Sequence, residues 1–252
     1  MNILIFKLTI IPAVIGLITL ASRKWGNKAG GVLGSMPWVA GPILVFFIVE
    51  QGREFGIQSI PGILMGIVSL VVFCYTYALL SKYRKWPSTL LLSYIFFLAT
   101  ALLLDFLHFS LLPIYGLAIG SILIALRYFP VPIETEKARV AKRLKYDILF
   151  RMAVATLFVV VITGAAEVLG PAKSGILTPF PILTSILAVF THYLQGSKAT
   201  ITILRGIMIG LTGFTTFLFL QAFLLKEFSI AVAFLIALAV NAAINLIAVR
   251  VW

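Results

Sequence analysis

Carboxylates are scarce in this chain: eight stand against 20 lysines and arginines in 252 residues. Histidine occurs twice and cysteine once. So few ligating and nucleophilic side chains form no metal cluster and no nucleophile–base set. Nothing reads as an enzyme, and no cofactor is implied. No G-x-x-x-x-G-K-S/T loop is present, which excludes transport driven by the chain's own nucleotide hydrolysis. Cys74 has no intrachain partner, so no disulfide framework and no oxidising compartment is indicated. Alternating ten-residue strand segments are missing as well, which argues against a membrane barrel.

What fills the chain instead is apolar. Hydrophobic residues make up 62%, charged residues only 11%, and mean hydropathy is +1.13. A soluble domain has no interior large enough for that much apolar surface, so the composition predicts an all-α integral membrane protein. Nine spans are expected, near 3–21, 30–50, 60–80, 88–105, 109–127, 148–167, 173–195, 203–225 and 228–249. The net charge of +12 would suggest nucleic acid in a soluble protein. Here the basic residues occupy short loops, which sets orientation and leaves no nucleic-acid partner. Arg23, Lys24 and Lys28 lie in the first loop, Lys82, Arg84 and Lys85 in the third, and Lys137, Arg139, Lys142, Arg143 and Lys145 in the fifth. That face is expected to be cytoplasmic, in a multi-pass inner (plasma) membrane protein with its N-terminus outside and C-terminus inside. Arg53, Lys173 and Lys226 fall on the other face, each near a glutamate. The basic loop with its ETEKARVAKRLKYD run reads as a topological anchor, or as a short interfacial helix with affinity for anionic lipid.

The chain matches itself without a gap at an offset of 144 residues, the distance from Gly52 to Gly196. GGVLGSMPWVAGPILVFFIVEQG lies over SGILTPFPILTSILAVFTHYLQG. The coincidences include Gly26/Gly170, Gly31/Gly175, Pro37/Pro181, Gln51/Gln195, Gly62/Gly206 and Gly66/Gly210, with Lys7 over Arg151. Apolar matches are cheap in such a sequence; matched glycine, proline, glutamine and basic positions are not. The reading is an internal duplication: repeat 1 over 1–107, a linker span in 108–128, a cytoplasmic basic loop over 129–146, and repeat 2 over 147–252. The first span copies the internal sixth span, so it is expected to be structural and not a leader. An odd span between the copies inverts the second relative to the first. Inverted repeats are a device of secondary transporters, where exchange of conformations between the halves gives alternating access.

Matched helix breakers point to a transporter's binding site. Proline deletes a backbone hydrogen bond, and irregular backbone at membrane depth persists only under cover of protein or water. Spans two and seven are therefore candidate broken helices, with Gly34, Ser35, Pro37 and Trp38 in one copy and Thr178, Pro179 and Pro181 in the other. A helix restarting after Pro37 or Pro181 aims a positive N-terminus at an anion. The alternative is that the glycines allow close packing and the prolines only kink. Lys7 and Arg151 form a second matched pair, near the outer and inner faces. Read functionally they are one cation per half for an anionic substrate; read structurally they snorkel to the headgroups. Glu50 and His192 are candidate coupling groups, against solvation for the first and packing for the second. Gln51 and Gln195, beside matched glycines, read as helix ends. Tyr75, Tyr77, Thr212, Thr215, Thr216 and Gln221 give spans three and eight a polar side, and Asn241 and Asn245 share a face of span nine.

Each repeat has a basic residue early in its first span, a Gly-containing turn, a G-x-L-x-x-x-P or G-I-L-x-x-F-P segment, and a Q-G end. In these features, over about 100 residues in each half, the chain resembles the small four-helix bacterial GlpM-type inner-membrane proteins. FRMAVATLFVVVITG through SGILTPFPILTSILAVF is the closer of the two copies, while the first departs with GSMPW in place of TPFPI. The resemblance implies a small four-helix protein that duplicated and fused through one extra span, and a link to glycerol metabolism and exopolysaccharide production.

Three functions follow as expectations. The first is a secondary transporter for an anionic solute, an organic phosphate or carboxylate. The second is a flippase for a phosphorylated lipid carrier. The third is a non-transporting subunit of a polysaccharide or lipid-modifying complex. A passive channel fits the same pattern. Partners are membrane lipids and a small anion or lipid-linked phosphate; a homodimer is compatible with all of these.

Overall fold

The computed structural model describes residues 8–9, 12–13, 16–17, 20, 36–107, 109–131 and 146–251, with the side chains of Asp147, Arg151 and Val249 left out. Among them every regular element is a helix. The helices are α1 (Ala40–Gln51), α2 (Arg53–Leu80), α3 (Trp86–Leu107), α4 (Leu111–Arg127), α5 (Asp147–Gly164), α6 (Ala166–Leu177), α7 (Ile182–Gln195), α8 (Ser197–Glu227) and α9 (Ile230–Val251). Four of these, α2, α3, α8 and α9, are long and apolar enough to cross a membrane. A fifth span is made if α5 and α6, bent by 118° at the break between them, are taken together. The expected segment 173–195 is thus not one helix. It is divided between α6 and α7, and α6 starts earlier, at Ala166.

Burial separates the long helices into two kinds. In the most apolar stretch of α2, 72% of residues are buried, and in that of α8, 67%. For α3 and α9 the figure is 22%, although they are at least as apolar. The first pair is the core and the second its covering. α2 and α8 pack on one another, α3 packs on α2, α9 on α8, and α4 bridges both central helices. The central pair is antiparallel: Arg53 at the start of α2 meets Leu225 near the end of α8, and Ser81 and Gly196 share a cleft at the opposite end. A smaller apolar cluster joins α1 to α5 through Ile43, Phe46, Phe47, Ala155 and Val159.

Element boundaries recur at the same offset as the residue matches. Adding 144 to the start of α2 (53) gives the start of α8 (197), and adding it to both ends of α3 (86 and 107) gives both ends of α9 (230 and 251). The joints between short and long helices also coincide. Gly52 (φ 95°, ψ 160°) separates α1 from α2, and Gly196 (φ 89°, ψ −176°) separates α7 from α8. Each donates its N–H back, to the Ile48 carbonyl at 3.1 Å and the His192 carbonyl at 3.2 Å respectively. That region of backbone space is open to glycine and strained for any residue with a Cβ. Gly52→Ala and Gly196→Ala should each cost about 1–3 kcal/mol. The check is a lower unfolding midpoint in detergent for both; two unchanged midpoints would show that the joints can rearrange at no cost.

The polar side expected of the central helices is largely satisfied locally. Thr212, Thr215 and Thr216 donate their hydroxyls to carbonyls three or four residues back in α8, at 2.7–3.1 Å. Gln221 reaches the Ala233 carbonyl of α9 at 3.3 Å. Asn241 and Asn245 are both buried and joined at 2.8 Å, and they pack against Gly213 of α8. These groups tie α8 to itself and to α9.

Candidate functional site

The break between α6 and α7 has a local cause. Pro179 and Pro181 have no N–H to donate, and each biases the residue before it away from the helix. The chain closes α6 with bonds from Thr178 N–H to the Ser174 and Gly175 carbonyls and from Phe180 N–H to the Leu177 carbonyl. It then restarts with Ile182 N–H to the Phe180 carbonyl at 2.7 Å and Ser185 N–H to the Pro181 carbonyl at 2.7 Å. Pro181 is the N-cap of α7, and no side chain caps it. In the N-terminal half α1 begins at Ala40, after Pro37, again without a side-chain cap.

Both restarts reach one cavity. Met36, Val39 and Ala40 line it from the N-terminal half, and Thr178, Pro179, Phe180, Leu183 and Thr184 from the C-terminal half. Leu70 of α2 and Ile207, Leu211 and Phe214 of α8 form its wall, and Ala155 of α5 also borders it. Its volume is ≈ 60 Å³, room for a few waters or a small anionic group. At the start of α1 the Gly41 N–H bonds the Pro37 carbonyl at 2.9 Å, and Pro42 has no N–H. At the start of α7 the Ile182 N–H bonds the Phe180 carbonyl. The positive character of these ends therefore comes from the helix dipoles more than from free amides. The cavity thus has two positive helix ends and two threonines, and no carboxylate among its lining residues.

The residues singled out from sequence are distributed as follows. Thr178 and Pro179 line the cavity; Pro181 caps α7 beside it. Pro37 and Trp38 border a neighbouring apolar groove of ≈ 270 Å³ with Gly41, Pro42, Phe217 and Phe234. Lys7, Gly34 and Ser35 lie outside the described residues. Arg151 belongs to α5, one turn before Ala155, and its side chain is outside the described set. Glu50 is half-buried in the last turn of α1, away from the cavity lining.

His192 has a different setting. It is half-buried and borders a cleft of ≈ 510 Å³ at the end where α2 finishes and α8 begins. Ser81, Lys82, Tyr83, Arg84, Lys85, Trp86 and Tyr193 also line this cleft. The His192 ring meets Tyr77 edge-on at 5.9 Å. From there an aromatic and hydroxyl series leads inward. Phe73 lies 5.8 Å from Tyr77 and 5.4 Å from Tyr94. Tyr94 donates to Ser185 Oγ at 2.8 Å and stacks on Phe180 at 5.3 Å, and Phe180 borders the central cavity. At the other end, Arg53 Nη1 donates to the Leu225 carbonyl at 3.1 Å and joins α2 to α8.

In sequence Lys82, Arg84 and Lys85 read as orientation charges alone. Their place opposite His192 and Tyr193 has no sequence signal, because the two segments are over a hundred residues apart. Comparison with protein-family models, with curated proteins and with solved structures finds no match. Function is therefore argued from the site itself.

Proposed function

We propose that the chain is a multi-pass inner-membrane secondary transporter for an anionic solute, an organic phosphate or carboxylate. Two inverted four-helix repeats, fused copies of a GlpM-type unit, exchange conformations around the central cavity. The observation that carries this reading is the meeting of two helix starts, α1 after Pro37 and α7 after Pro181, at a single cavity, the two prolines being related by one 144-residue offset. Irregular backbone with two positive helix ends is how such transporters hold an anion at the bilayer midplane. The antiparallel run of α2 and α8 and the shared helix boundaries support the inversion. Membrane insertion is supported by α3 and α9, which turn Leu102, Leu103, Phe106, Leu235, Leu246 and Ile247 outward. A contiguous apolar exterior of that kind suits hydrocarbon and not water.

Lys7 and Arg151 are the charge partners in this scheme, one at each face, with the N-terminus outside and the C-terminus in the cytoplasm. The Arg53 bond closes the end assigned to the outside, and the cleft at His192 opens the end assigned to the cytoplasm. Reconstituted protein should give saturable currents with glycerol phosphate, phosphate or short carboxylates. Lys7→Ala and Arg151→Ala should each reduce them at least about tenfold, the loss of one charge-assisted contact. A saturable current untouched by both substitutions would return the pair to a snorkelling role. No current with any soluble anion would overturn the solute reading.

The groove at Pro37 and Trp38 favours a second reading, a flippase for a phosphorylated lipid carrier. Its apolar lining beside the first break is suited to an acyl or isoprenoid chain. Transfer of a fluorescent phospholipid between leaflets, without soluble-anion current, would select it.

A further inference from the structure

We infer that the cleft between the α2–α3 turn and the C-terminal end of α7 is a binding site for a phosphate-bearing anion. The turn brings Lys82, Arg84 and Lys85 together within four residues. It is held in place by its own backbone: Tyr83 and Arg84 donate N–H to the Leu80 carbonyl, both at 3.0 Å, and Thr89 donates to the Lys85 carbonyl at 3.1 Å. Ser81 is buried and its hydroxyl bonds the Ala78 carbonyl at 2.8 Å. The cations therefore project from a fixed support into a cleft of ≈ 510 Å³.

No carboxylate lines that cleft, and among the described residues none of the three cations has an acidic partner. Four helix termini meet here. The starts of α3 and α8 are positive and have no acid in their first turns, while the ends of α2 and α7 are negative. These dipoles largely offset one another, so the side chains set the field. Three uncompensated cations suit a doubly charged group, and the Arg84 guanidinium supplies the planar fork that phosphate accepts. Trp86 and Tyr193 flank the charges with apolar faces. Beneath His192, the Tyr77 hydroxyl is fully buried with no hydrogen-bond partner among the described residues. Tyr77 does not border the cleft, so its hydroxyl lies behind the site and is not one of its ligands.

The proposal deepens the transporter reading by giving the anion its docking site at the basic end, before the path through Tyr94 and Phe180. The same phosphate chemistry is offered by a soluble phosphate ester and by a phospholipid headgroup. The two sources are separable by experiment. The full chain in discs of neutral phosphatidylcholine is titrated with glycerol phosphate by calorimetry. In parallel, discs doped with phosphatidic acid are assayed by native mass spectrometry for lipid that stays bound. The triple variant Lys82→Gln/Arg84→Gln/Lys85→Gln is run beside Lys226→Gln, a cation at the opposite end.

Saturable binding that weakens at least about tenfold in the triple variant, and not in Lys226→Gln, is expected. It should weaken with added salt, since these charges are near solvent. Binding in the calorimeter assigns a soluble ester; retention of phosphatidic acid alone assigns a headgroup. Absence of both, or equal binding by wild type and triple variant, overturns the site. If the triple variant does not fold, Arg84→Gln alone decides, because Arg84 is exposed and its side chain makes no bond to the described protein. Binding is measured without flux, so a failed transport assay and a failed docking site give different results.

Discussion

Gly175→Ala is expected to push α6 off α2 and to lower the unfolding midpoint by on the order of 5–10 °C. A Cβ at Gly175 would overlap the Ser59 carbonyl oxygen and sit 3.0 Å from both Gly62 Cα and Ile63 N. All three are backbone atoms inside α2, so no side chain can swing aside. Gly66→Ala meets the same surface from the other helix, overlapping the Ile176 carbonyl oxygen and coming within 2.7 Å of Pro179 Cδ. Overpacking of this sort costs about 1–3 kcal/mol, and more where backbone must move. On the membrane reading there is no hydrophobic drive between the helices, and such close approaches become a main source of cohesion. The displaced helix is also the one that delivers Thr178 and Pro179 to the central cavity, so on the transporter reading anion flux should fall with stability. Gly116→Ala is the control. Nothing lies within 4 Å of a Cβ there, and alanine favours the helix. Gly175→Ala melting with wild type, like Gly116→Ala, would show that α6 and α2 do not meet as described.

Phe180→Ala should have the second large effect, on the partition between the cavity and the Tyr94 hydroxyl. The Phe180 ring stacks on Tyr94 at 5.3 Å, meets Phe97 edge-on at 5.2 Å and lies 5.8 Å from Phe158. Removing a buried phenyl group costs about 3–5 kcal/mol, and a half-buried ring correspondingly less, so about 2–3 kcal/mol is expected. The void left behind would extend the central cavity to the Tyr94–Ser185 bond. On the transporter reading the variant should leak, with current that no longer saturates, while Phe180→Leu keeps most of the volume and the saturation. Saturation in Phe180→Ala at the wild-type half-point would show that this ring does not divide the path.

Much of the helical arrangement was legible because its causes are local. The break at Thr178–Pro181 follows from two prolines, and the joints at Gly52 and Gly196 from a backbone conformation that glycine alone takes easily. The start of α3 at Trp86 and its end at Leu107 lie within two residues of the expected 88–105. The end of span six was harder. The expected 148–167 closes at Gly164, where a 118° bend leads into α6, and Gly170, with φ 73°, falls within α6, in the expected loop before span seven. Hydropathy counts apolar residues and is blind to a turn made by glycine.

The sequence by itself determined the helical class, the break at Thr178–Pro181, its own match at a 144-residue offset and the unequal distribution of charge. Each depends on residue identity or on interactions within a turn or two. Only the tertiary structure decided which helices form the core, that the starts of α1 and α7 reach one cavity, and that residues 81–87 face 192–196. The reason is physical. Helices apolar on every side carry no stripe to say which face is buried. Among such helices the choice passes to close backbone approach, as at Gly62, Gly66 and Gly175, and to long-range pairs such as Arg53 with Leu225 and Tyr94 with Ser185. These contacts join positions far apart in the chain, and no local pattern encodes them.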